Sequence, residues 1–196
     1  MRLCIFSGTF NPIHNGHIYM AEHIIKTFQV EKLLFIPAFV PPQKENNPKL
    51  TKHRYEMVKL ATELNPHFEV SDIEFRLGGK SYSYLTVLEL YKEFDLDEKI
   101  NFVIGTDAFK NLDTWYESEK LRKIVKFIVF ARENEFKQEN YEYMKEKGYD
   151  FDFAQMQFND ISSTDIRERI KNGKTITDLV PANVERYIIE NDLYKN

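Results

Sequence analysis

Two histidines, His14 and His17, lie three residues apart in the segment Ser7–His17, which also contains two glycines, a serine and a threonine. The apolar run Leu3–Phe6 precedes this segment, and apolar residues at helical spacing follow it, which predicts a strand, a turn and a helix start. The unpaired N–H groups and the positive dipole at a helix N-terminus favour anions. Because imidazoles can donate hydrogen bonds to phosphate oxygens, the segment predicts a phosphate site.

Two other interpretations of the histidine pair stay open. Residues three apart on a helix share a face, so His14 and His17 could ligate a metal ion, although no third ligand has a suitable spacing in the sequence. Alternatively, His14 caps the turn and His17 only starts the helix. The flexible backbone and hydroxyls of the preceding Ser7, Gly8 and Thr9 favour a bound phosphate chain.

A second segment with binding chemistry, Ile161–Arg167, combines two serines, a threonine, an aspartate and an arginine. Ser162 or Ser163 can cap a helix, and Arg167 follows about one turn after the cap. Hydroxyls, unpaired N–H groups and a guanidinium then meet at one helix end. A capped surface helix with an exposed arginine explains this segment equally well, but together with the histidine turn it favours two helix N-termini holding one polyphosphate.

The rest of the chain alternates strand-like and helix-like segments. Apolar runs predict strands at 33–36, 68–70, 100–104 and 126–130, and a last strand within 151–158. Further helices are predicted from Thr51, as the cap, to about Leu64, and at 84–94, where Leu85, Leu88 and Tyr91 are the apolar residues. Another predicted helix ends at residue 124. The remaining predicted helices lie at 141–147, 162–172 and 183–191.

This alternation of near-continuous apolar strands with helices predicts an α/β fold, a Rossmann-like doubly wound parallel sheet with helices on both faces. We expect a single domain over residues 1–196 with a small helical part from about residue 160. Ligands bind such sheets beyond the carboxyl ends of the strands. The segments that follow the strands are therefore the candidate binding segments: 7–17, 37–44, 105–107 and 131–132.

The composition excludes several classes of protein. With 196 residues, of which 42% are hydrophobic, the chain can bury one substantial core. A net charge of −4 disfavours a general nucleic-acid binder, which needs a basic face. The single cysteine, Cys4, lies in an apolar run and fits a buried strand position in a reducing compartment. We expect a cytoplasmic protein without a signal peptide, a membrane segment or a nucleic-acid partner; a homo-oligomer stays open.

The two polar segments resemble the signatures of a known superfamily. Ser7–His17 is similar to the G-G-T-F-D-P-I-H-x-G-H signature of the H-x-G-H nucleotidyltransferases, and Ile161–Arg167 to their I-S-S-T-x-I-R motif. Among them, the bacterial nicotinate-nucleotide adenylyltransferases are the most similar family. Their P-P-H-K, S-Y-T-x-x-T, G-x-D…W and C-terminal motifs match, in the same order, 41–44, 81–86, 104–115, and 180–181 with 192–194. The chain departs from these motifs at Ser7, Asn11, Gln43 and Ser83; Gln43 removes a cation near the phosphates.

The resemblance implies that nicotinate mononucleotide reacts with ATP to give nicotinate adenine dinucleotide and pyrophosphate. The mononucleotide phosphate attacks the α-phosphorus directly, and Mg²⁺ accompanies ATP. It places His14 and His17 on the reacting phosphates, and Ser163 and Arg167 on the β- and γ-phosphates. Lys44 is a candidate to close over the phosphates, although a solvated loop lysine is equally compatible with the sequence.

The resemblance also assigns the remaining contacts. Trp115 stacks on the pyridine ring, although a single tryptophan is more often a packing residue. The nicotinate carboxylate is received by main-chain N–H groups near Tyr116. Expected ATP contacts are Ser7, Gly8, Thr9, Phe10, Gly105, Asp107, Ile161, Ser162 and Ser163, and expected mononucleotide contacts are Thr86, Trp115, Tyr116 and Arg132.

Two alternative functions stay open at this point. The same H-x-G-H turn occurs in pantetheine-phosphate adenylyltransferases and cytidylyltransferases, and the turn alone does not separate them from a pyridine-nucleotide enzyme. A nucleotide-binding regulator without catalysis belongs to a different class. The presence of His14, His17, Ser163 and Arg167 argues against the regulator.

Overall fold

The computed structural model describes residues 1–42, 47–131, 137–155 and 161–195. Within them, six parallel strands form one sheet in the order β3-β2-β1-β4-β5-β6. The predicted doubly wound parallel sheet is therefore confirmed. The strands are β1 (Leu3–Gly8), β2 (Lys32–Pro37), β3 (Phe68–Val70), β4 (Ile100–Gly105), β5 (Val125–Phe130) and β6 (Phe151–Ala154).

Helices connect the strands and cover both faces of the sheet. The α-helices are α1 (Asn15–Phe28), α2 (Pro48–Thr62), α3 (Ile73–Leu77), α4 (Ser83–Glu93), α5 (Thr106–Lys110), α6 (Ser118–Ile124), α7 (Glu142–Glu146), α8 (Ser163–Lys171) and α9 (Ala182–Glu190). Short 3-10 helices span Leu112–Thr114 and Gln138–Tyr141. None of the helices in these described ranges is long and apolar enough to cross a membrane.

Alternating side chains along each strand supply two cores, one on each face of the sheet. From β1, Cys4 and Phe6 enter the core that contains α1, α2, α8 and α9. Leu3 and Ile5 enter the core that contains α3 to α7. Because both faces of the central strands are covered, their sequences read as almost unbroken apolar runs, which is why the strands were predictable.

Helix α2 begins earlier than the sequence pattern predicts. Thr51 was expected to be its cap, but the side chain of Asn47 accepts a hydrogen bond from the Lys49 N–H at 3.1 Å. Pro48 occupies the first turn, where its fixed φ suits a helix and its missing N–H is not needed. The prediction of Thr51 as the cap is therefore wrong, because an Asn-Pro pair starts the helix and leaves Thr51 buried inside it.

Helix α4 turns a different face to the sheet from the one the apolar spacing predicts. Leu85 and Leu88 are exposed, whereas Val87 and Leu90 are fully buried in the core; of the three predicted apolar residues only Tyr91 packs against it. The helix has apolar residues on more than one side, so periodicity alone could not choose among them. Helices α3 and α5, with five residues each, escaped prediction because they are too short to show a period.

The neighbouring strands β1 and β4 mark the point at which the strand order reverses. From β1 the chain continues to β2 on one side, and from β4 it continues to β5 on the other. The connections therefore separate beyond the carboxyl ends of β1 and β4 and leave a crevice between them. This crevice is where the segments that follow β1 and β4 meet.

Phe127 in β5 provides a test of the core. It is fully buried, with ring centroids 5.7 Å from Phe102 and 6.1 Å from Phe109. We expect Phe127→Ala to lower the free energy of unfolding by about 3–5 kcal/mol in urea denaturation, because it leaves a cavity. Leu64→Ala, at an exposed position, should change it by no more than about 0.5 kcal/mol. Equal losses in the two variants would contradict this assignment of the core.

Candidate active site

The turn between β1 and α1, residues 9–14, is closely packed and is here called the β1–α1 turn. Phe10 has a left-handed backbone with φ of 49°, and its ring lies edge-on to those of Phe6 and His17, with centroids 5.6 and 5.1 Å away. A Cβ on Gly8 would lie 2.9 Å from the Phe10 ring, so only glycine fits there. This packing fixes where the chain enters α1.

Helix α8 holds the β1–α1 turn from one side. The hydroxyl of Ser163 donates to the carbonyl oxygen of Pro12 at 2.9 Å, and Nη1 of Arg167 donates to that of Asn11 at 2.8 Å. The two polar segments singled out in the sequence are therefore in direct contact. Ser162 caps α8, as one of the two predicted alternatives has it, by accepting a hydrogen bond from the Asp165 N–H at 3.0 Å.

Two further side chains hold the β1–α1 turn: Arg54, for which the sequence offers no signal, and Tyr194, which belongs to the C-terminal motif but carries no predicted role. Nη1 of the buried Arg54, on α2, donates to the Thr9 carbonyl oxygen at 2.7 Å. The Tyr194 hydroxyl donates to Oδ1 of Asn11 at 2.7 Å. Burial raises the pKa of Tyr194 above its ordinary value, although the charges of Arg167 and Arg54 oppose the rise. Tyr194 therefore stays protonated and remains a donor.

The two histidines lie against each other at the start of α1. Their ring centroids are 3.7 Å apart and their planes are 27° from parallel. The backbone N–H of His14 donates to Nδ1 of His17 at 3.2 Å. A neutral imidazole accepts through one nitrogen and donates through the other, so the proton of neutral His17 is on Nε2. The backbone thus sets His17 as a hydrogen-bond donor.

Gly16 makes this close pairing possible. A Cβ at this position would lie only 3.0 Å from Nδ1 of His14. His14 is also the N-cap residue of α1, as the capping interpretation of the turn expects. In the portion of the chain that the structure describes, no three or more His, Cys, Asp or Glu residues are grouped to hold a metal ion.

A cavity of about 780 Å³ opens at the carboxyl ends of β1 and β4, in the crevice at the strand-order reversal. Its described lining carries the ionisable side chains of His14, His17 and Arg167 and no carboxylate. A cavity lined by a guanidinium and by hydrogen-bond donors suits an anionic ligand. The predicted residues that line it are Ser7, Gly8, Thr9, Phe10, His14, His17, Gly105, Trp115, Ile161, Ser162, Ser163 and Arg167.

The structure places three predicted site residues elsewhere. Thr86 is only 1% exposed, and its hydroxyl donates to Oε1 of Glu74 at 3.0 Å. Tyr116 is exposed, and its ring lies 4.7 Å from that of Tyr82. Asp107 is exposed on α5 and is not among the described lining residues. Two more predicted site residues, Lys44 and Arg132, lie outside the described residues.

Several residues that were not predicted as contacts also line the cavity. Some lie on strand β4, where an unbroken apolar run concealed their role, and the position of their strand end was the only available signal. Others occupy positions inside recognised motifs. They are Phe6, Asn11, Gly16, Met20, Ser83, Phe102, Val103, Ile104, Ala108 and Thr164.

The fold and this cavity define an α/β protein built to bind a phosphorylated ligand. The chain belongs to the cytidylyltransferase-like family, which matches residues 5–169. It is 39% identical over 198 residues to a probable nicotinate-nucleotide adenylyltransferase of Clostridium botulinum, with 97% of this chain and 98% of that protein covered. A relative of the same description from Dictyoglomus thermophilum is 39% identical and covers 99% of this chain and 100% of its own length. These matches confirm the resemblance drawn from the motifs.

Solved structures agree with the fold. Nicotinic acid mononucleotide adenylyltransferase of Plasmodium falciparum, complexed with NaAD, superimposes with a TM-score of 0.79 at 20% identity, covering 98% of this chain and 97% of that one. A putative nicotinate-nucleotide adenylyltransferase of Vibrio parahaemolyticus gives a TM-score of 0.67 at 20% identity, with 100% and 97% covered. At this identity the likeness concerns the fold.

Tyr194 provides a test of how the β1–α1 turn is held. Tyr194→Phe removes the donor to Asn11 and leaves a partly buried acceptor unsatisfied, so we expect a loss of about 1–3 kcal/mol in the free energy of unfolding at pH 8. Burial raises the folded-state pKa of Tyr194, so its contribution is complete below the unfolded pKa of about 10 and is lost progressively as the pH rises from there through the folded-state pKa. Urea denaturation at pH 8 and 10.5 should show the difference between variant and wild type shrinking. A constant difference would contradict the assignment.

Proposed function

We propose that the chain is an adenylyltransferase that moves AMP from ATP to nicotinate mononucleotide, giving nicotinate adenine dinucleotide and pyrophosphate, in NAD biosynthesis. The observation that carries the proposal is that His14 and His17 share one cavity with Ser163 and Arg167 at the strand-order reversal. Two helix N-termini and these four cationic or donor side chains then surround one phosphate chain. The relatives named probable nicotinate-nucleotide adenylyltransferase support the choice of acceptor.

The reaction needs alignment and charge neutralisation rather than a strong base. The phosphate of the mononucleotide is already a nucleophile at neutral pH, and its oxygen attacks the α-phosphorus in line. The bond between that phosphorus and the bridging oxygen to the β-phosphate breaks, and its electron pair leaves with pyrophosphate. No covalent intermediate on the protein is required.

His17 is proposed to stabilise the charge that develops on the α-phosphate. Its Nε2–H is a donor because Nδ1 accepts the backbone N–H of His14. His14, stacked on His17, is proposed to contact the neighbouring phosphates. Because the backbone hydrogen bond fixes the tautomer of neutral His17 before ATP binds, binding requires no change of tautomer.

Arg167 and Ser163 are proposed to hold the β- and γ-phosphates. A guanidinium has five N–H donors, so Arg167 can keep its bond to the Asn11 carbonyl and still bind phosphate oxygens. Ser163 has a single proton, which it donates to the Pro12 carbonyl, so it must exchange this bond to donate to a phosphate. Arg167 can therefore bind the β- and γ-phosphates without giving up its bond to the β1–α1 turn, whereas Ser163 cannot.

The other proposed ATP contacts lie at the carboxyl ends of β1 and β4 and at the start of α8. Gly8 and Thr9 are proposed to let the backbone approach the nucleotide, with Ser7 and Phe10 beside them. Ile161 and Ser162 are proposed to contact the nucleotide from the opposite side of the cavity. Gly105, which lines the cavity, is proposed to lie on the adenosine side; Asp107, exposed on α5 outside the described lining, is assigned no contact within the cavity. These assignments place the adenosine at β4 and the triphosphate at the two helix starts.

Lys44 is proposed to close over the phosphates, and Mg²⁺ to neutralise them. The described residues contain no group of acidic or histidine side chains that could hold the ion by themselves. The donor set fits an ion carried by the triphosphate and water, which is the usual arrangement for Mg²⁺ with a nucleotide. When bound, Mg²⁺ would lower the repulsion between the two reacting phosphates.

The acceptor is proposed to bind beside Trp115, which lines the cavity and packs against Phe102 with ring centroids 6.0 Å apart. That packing would hold the indole in place for stacking on the pyridine ring. Main-chain N–H groups near Tyr116 would receive the carboxylate, and Arg132 would contribute a cation. Because the Thr86 hydroxyl is bonded to Glu74, we assign the direct polar contact at the start of α4 to Ser83 and a supporting role to Thr86.

We propose that residues 1–196 act as one nucleotidyltransferase domain in the cytoplasm. The helical part, α8 and α9, packs into the same core as α1 and α2. It also supplies Ser163 and Arg167 to the site. A homo-oligomer stays a prediction, which size-exclusion chromatography with light scattering would test.

Acceptor preference tests the proposed function. We expect purified protein with ATP and Mg²⁺ to release pyrophosphate with nicotinate mononucleotide at a higher kcat/KM than with its amide or with phosphopantetheine. The expectation follows from the Trp115 platform and the main-chain donors for a carboxylate. A preference for phosphopantetheine would contradict the proposal, and no release with any acceptor would favour a nucleotide-binding regulator.

His17→Ala tests the role of the donor imidazole. We expect kcat to fall by about a hundredfold or more while ATP still binds, because a transition-state hydrogen bond is lost. His23→Ala is the matched control on the same helix, since its Nε2 contacts only the Thr27 hydroxyl among the described hydrogen bonds, at 3.4 Å. An unchanged kcat in His17→Ala, or an equal fall in both variants, would refute the proposed role.

A further inference from the structure

We propose that Arg54 and Glu74 form a positioning pair that fixes the ATP half of the site relative to the acceptor half. The inference rests on the proposed function and extends it to two residues that are not among the described residues lining the cavity. Both are charged and both are buried, at 2% and 4% exposure. Neither belongs to a motif recognised in the sequence.

Arg54 joins the ends of two neighbouring strands. From α2, Nη1 donates to the carbonyl oxygen of Thr9, just after β1, at 2.7 Å. Nη2 donates to the carbonyl oxygen of Phe39, just after β2, at 3.3 Å. Thr9 lines the cavity, so the guanidinium sets the distance between an ATP-facing segment and the segment that leaves β2.

Glu74 continues the connection from the same segment to helix α4. Its Oε2 accepts the Phe39 N–H at 3.3 Å, and its Oε1 accepts the Thr86 hydroxyl at 3.0 Å. The Phe39 N–H also donates to Oγ of Ser81 at 2.8 Å, so Glu74 shares it with a hydroxyl, while the Phe39 carbonyl oxygen accepts from Arg54. A continuous chain of hydrogen bonds runs from Thr9 through Arg54, Phe39 and Glu74 to Thr86, in the helix whose first residue, Ser83, lines the cavity.

The energetics favour a role in orientation over one in stability. Burial lowers the pKa of Arg54 and raises the pKa of Glu74, and the charge of each residue opposes the shift of the other. Burying two charges is costly, and well-packed apolar residues often replace a buried pair without loss of stability. Apolar residues could not, however, hold the carbonyl oxygens of Thr9 and Phe39 or accept the Thr86 hydroxyl.

Orientation matters because the reaction joins two phosphates held by different elements. Arg54 acts through Thr9 on the ATP side, and Glu74 acts through Thr86 on the acceptor side. A misplacement of about 1 Å in such an alignment can lower the rate about a hundredfold, even from a distant substitution. The pair is therefore expected to influence both KM values and kcat without touching either substrate.

Arg54→Met is the direct test, because methionine fills the space without donating hydrogen bonds. We expect the KM for ATP and the Kd for ATP, measured by calorimetry, to rise about tenfold, and kcat to fall about tenfold or more. Arg54→Lys keeps the charge but not the planar fork, so it should give intermediate values. Glu74→Gln keeps the shape and loses one acceptor, and it should raise the KM for the mononucleotide more than the KM for ATP.

Val58→Ala is the matched control for stability. Val58 is fully buried on the same helix in the apolar core, so its truncation should lower Tm and leave both KM values unchanged. Wild-type KM and kcat in a folded Arg54→Met would overturn the proposal, as would the same kinetic change in Val58→Ala. If Arg54→Met does not fold, wild-type kinetics in both Arg54→Lys and Glu74→Gln would overturn it.

The measurement of ATP binding separates this proposal from the proposed function. If wild-type protein forms no dinucleotide from any acceptor, the proposed function fails while the ATP Kd still reports on Arg54. An about tenfold weaker ATP Kd in Arg54→Met would then support the positioning role on the nucleotide side. An unchanged Kd would overturn it.

Discussion

Hydrogen bonds from four side chains to the β1–α1 turn are the constraint on which the site depends. Arg54 holds Thr9, Arg167 and Tyr194 hold Asn11, and Ser163 holds Pro12. Each bond contributes on the order of 1 kcal/mol net, but together they fix a segment that includes a left-handed Phe10. The side chains come from α2, α8 and the C-terminal segment, so the turn acquires its geometry only when distant parts of the chain have folded.

The same contacts bring the chemistry together. Because α8 reaches across to the β1–α1 turn, the groups proposed for the β- and γ-phosphates lie beside the histidines proposed for the α-phosphate. The order of the strands places this junction next to the end of β4, where an adenosine can lie. A single cavity can therefore hold the whole nucleotide and present its α-phosphorus to an acceptor beside Trp115.

Local patterns predicted the fold well. With the family resemblance they singled out most residues of the two polar segments that line the cavity, but not Asn11, Gly16 and Thr164. They failed where tertiary contacts decide. Leu85 and Leu88 looked like a core face, but α4 buries Val87 and Leu90 instead. Thr86 looked like a ligand contact, yet its hydroxyl is bonded to Glu74. No local pattern showed that Arg54 and Tyr194 hold the β1–α1 turn, although Tyr194 lies in the C-terminal motif, because their partners are 45 and 183 residues away.

The most direct measurement follows labelled ATP through a single turnover with nicotinate mononucleotide. Direct in-line transfer predicts that label from the α-position appears only in the dinucleotide and label from the γ-position only in pyrophosphate, with none bound covalently to the protein. Protein-bound α-label that is chased into product on addition of the acceptor would contradict the account. So would release of the γ-label as inorganic phosphate.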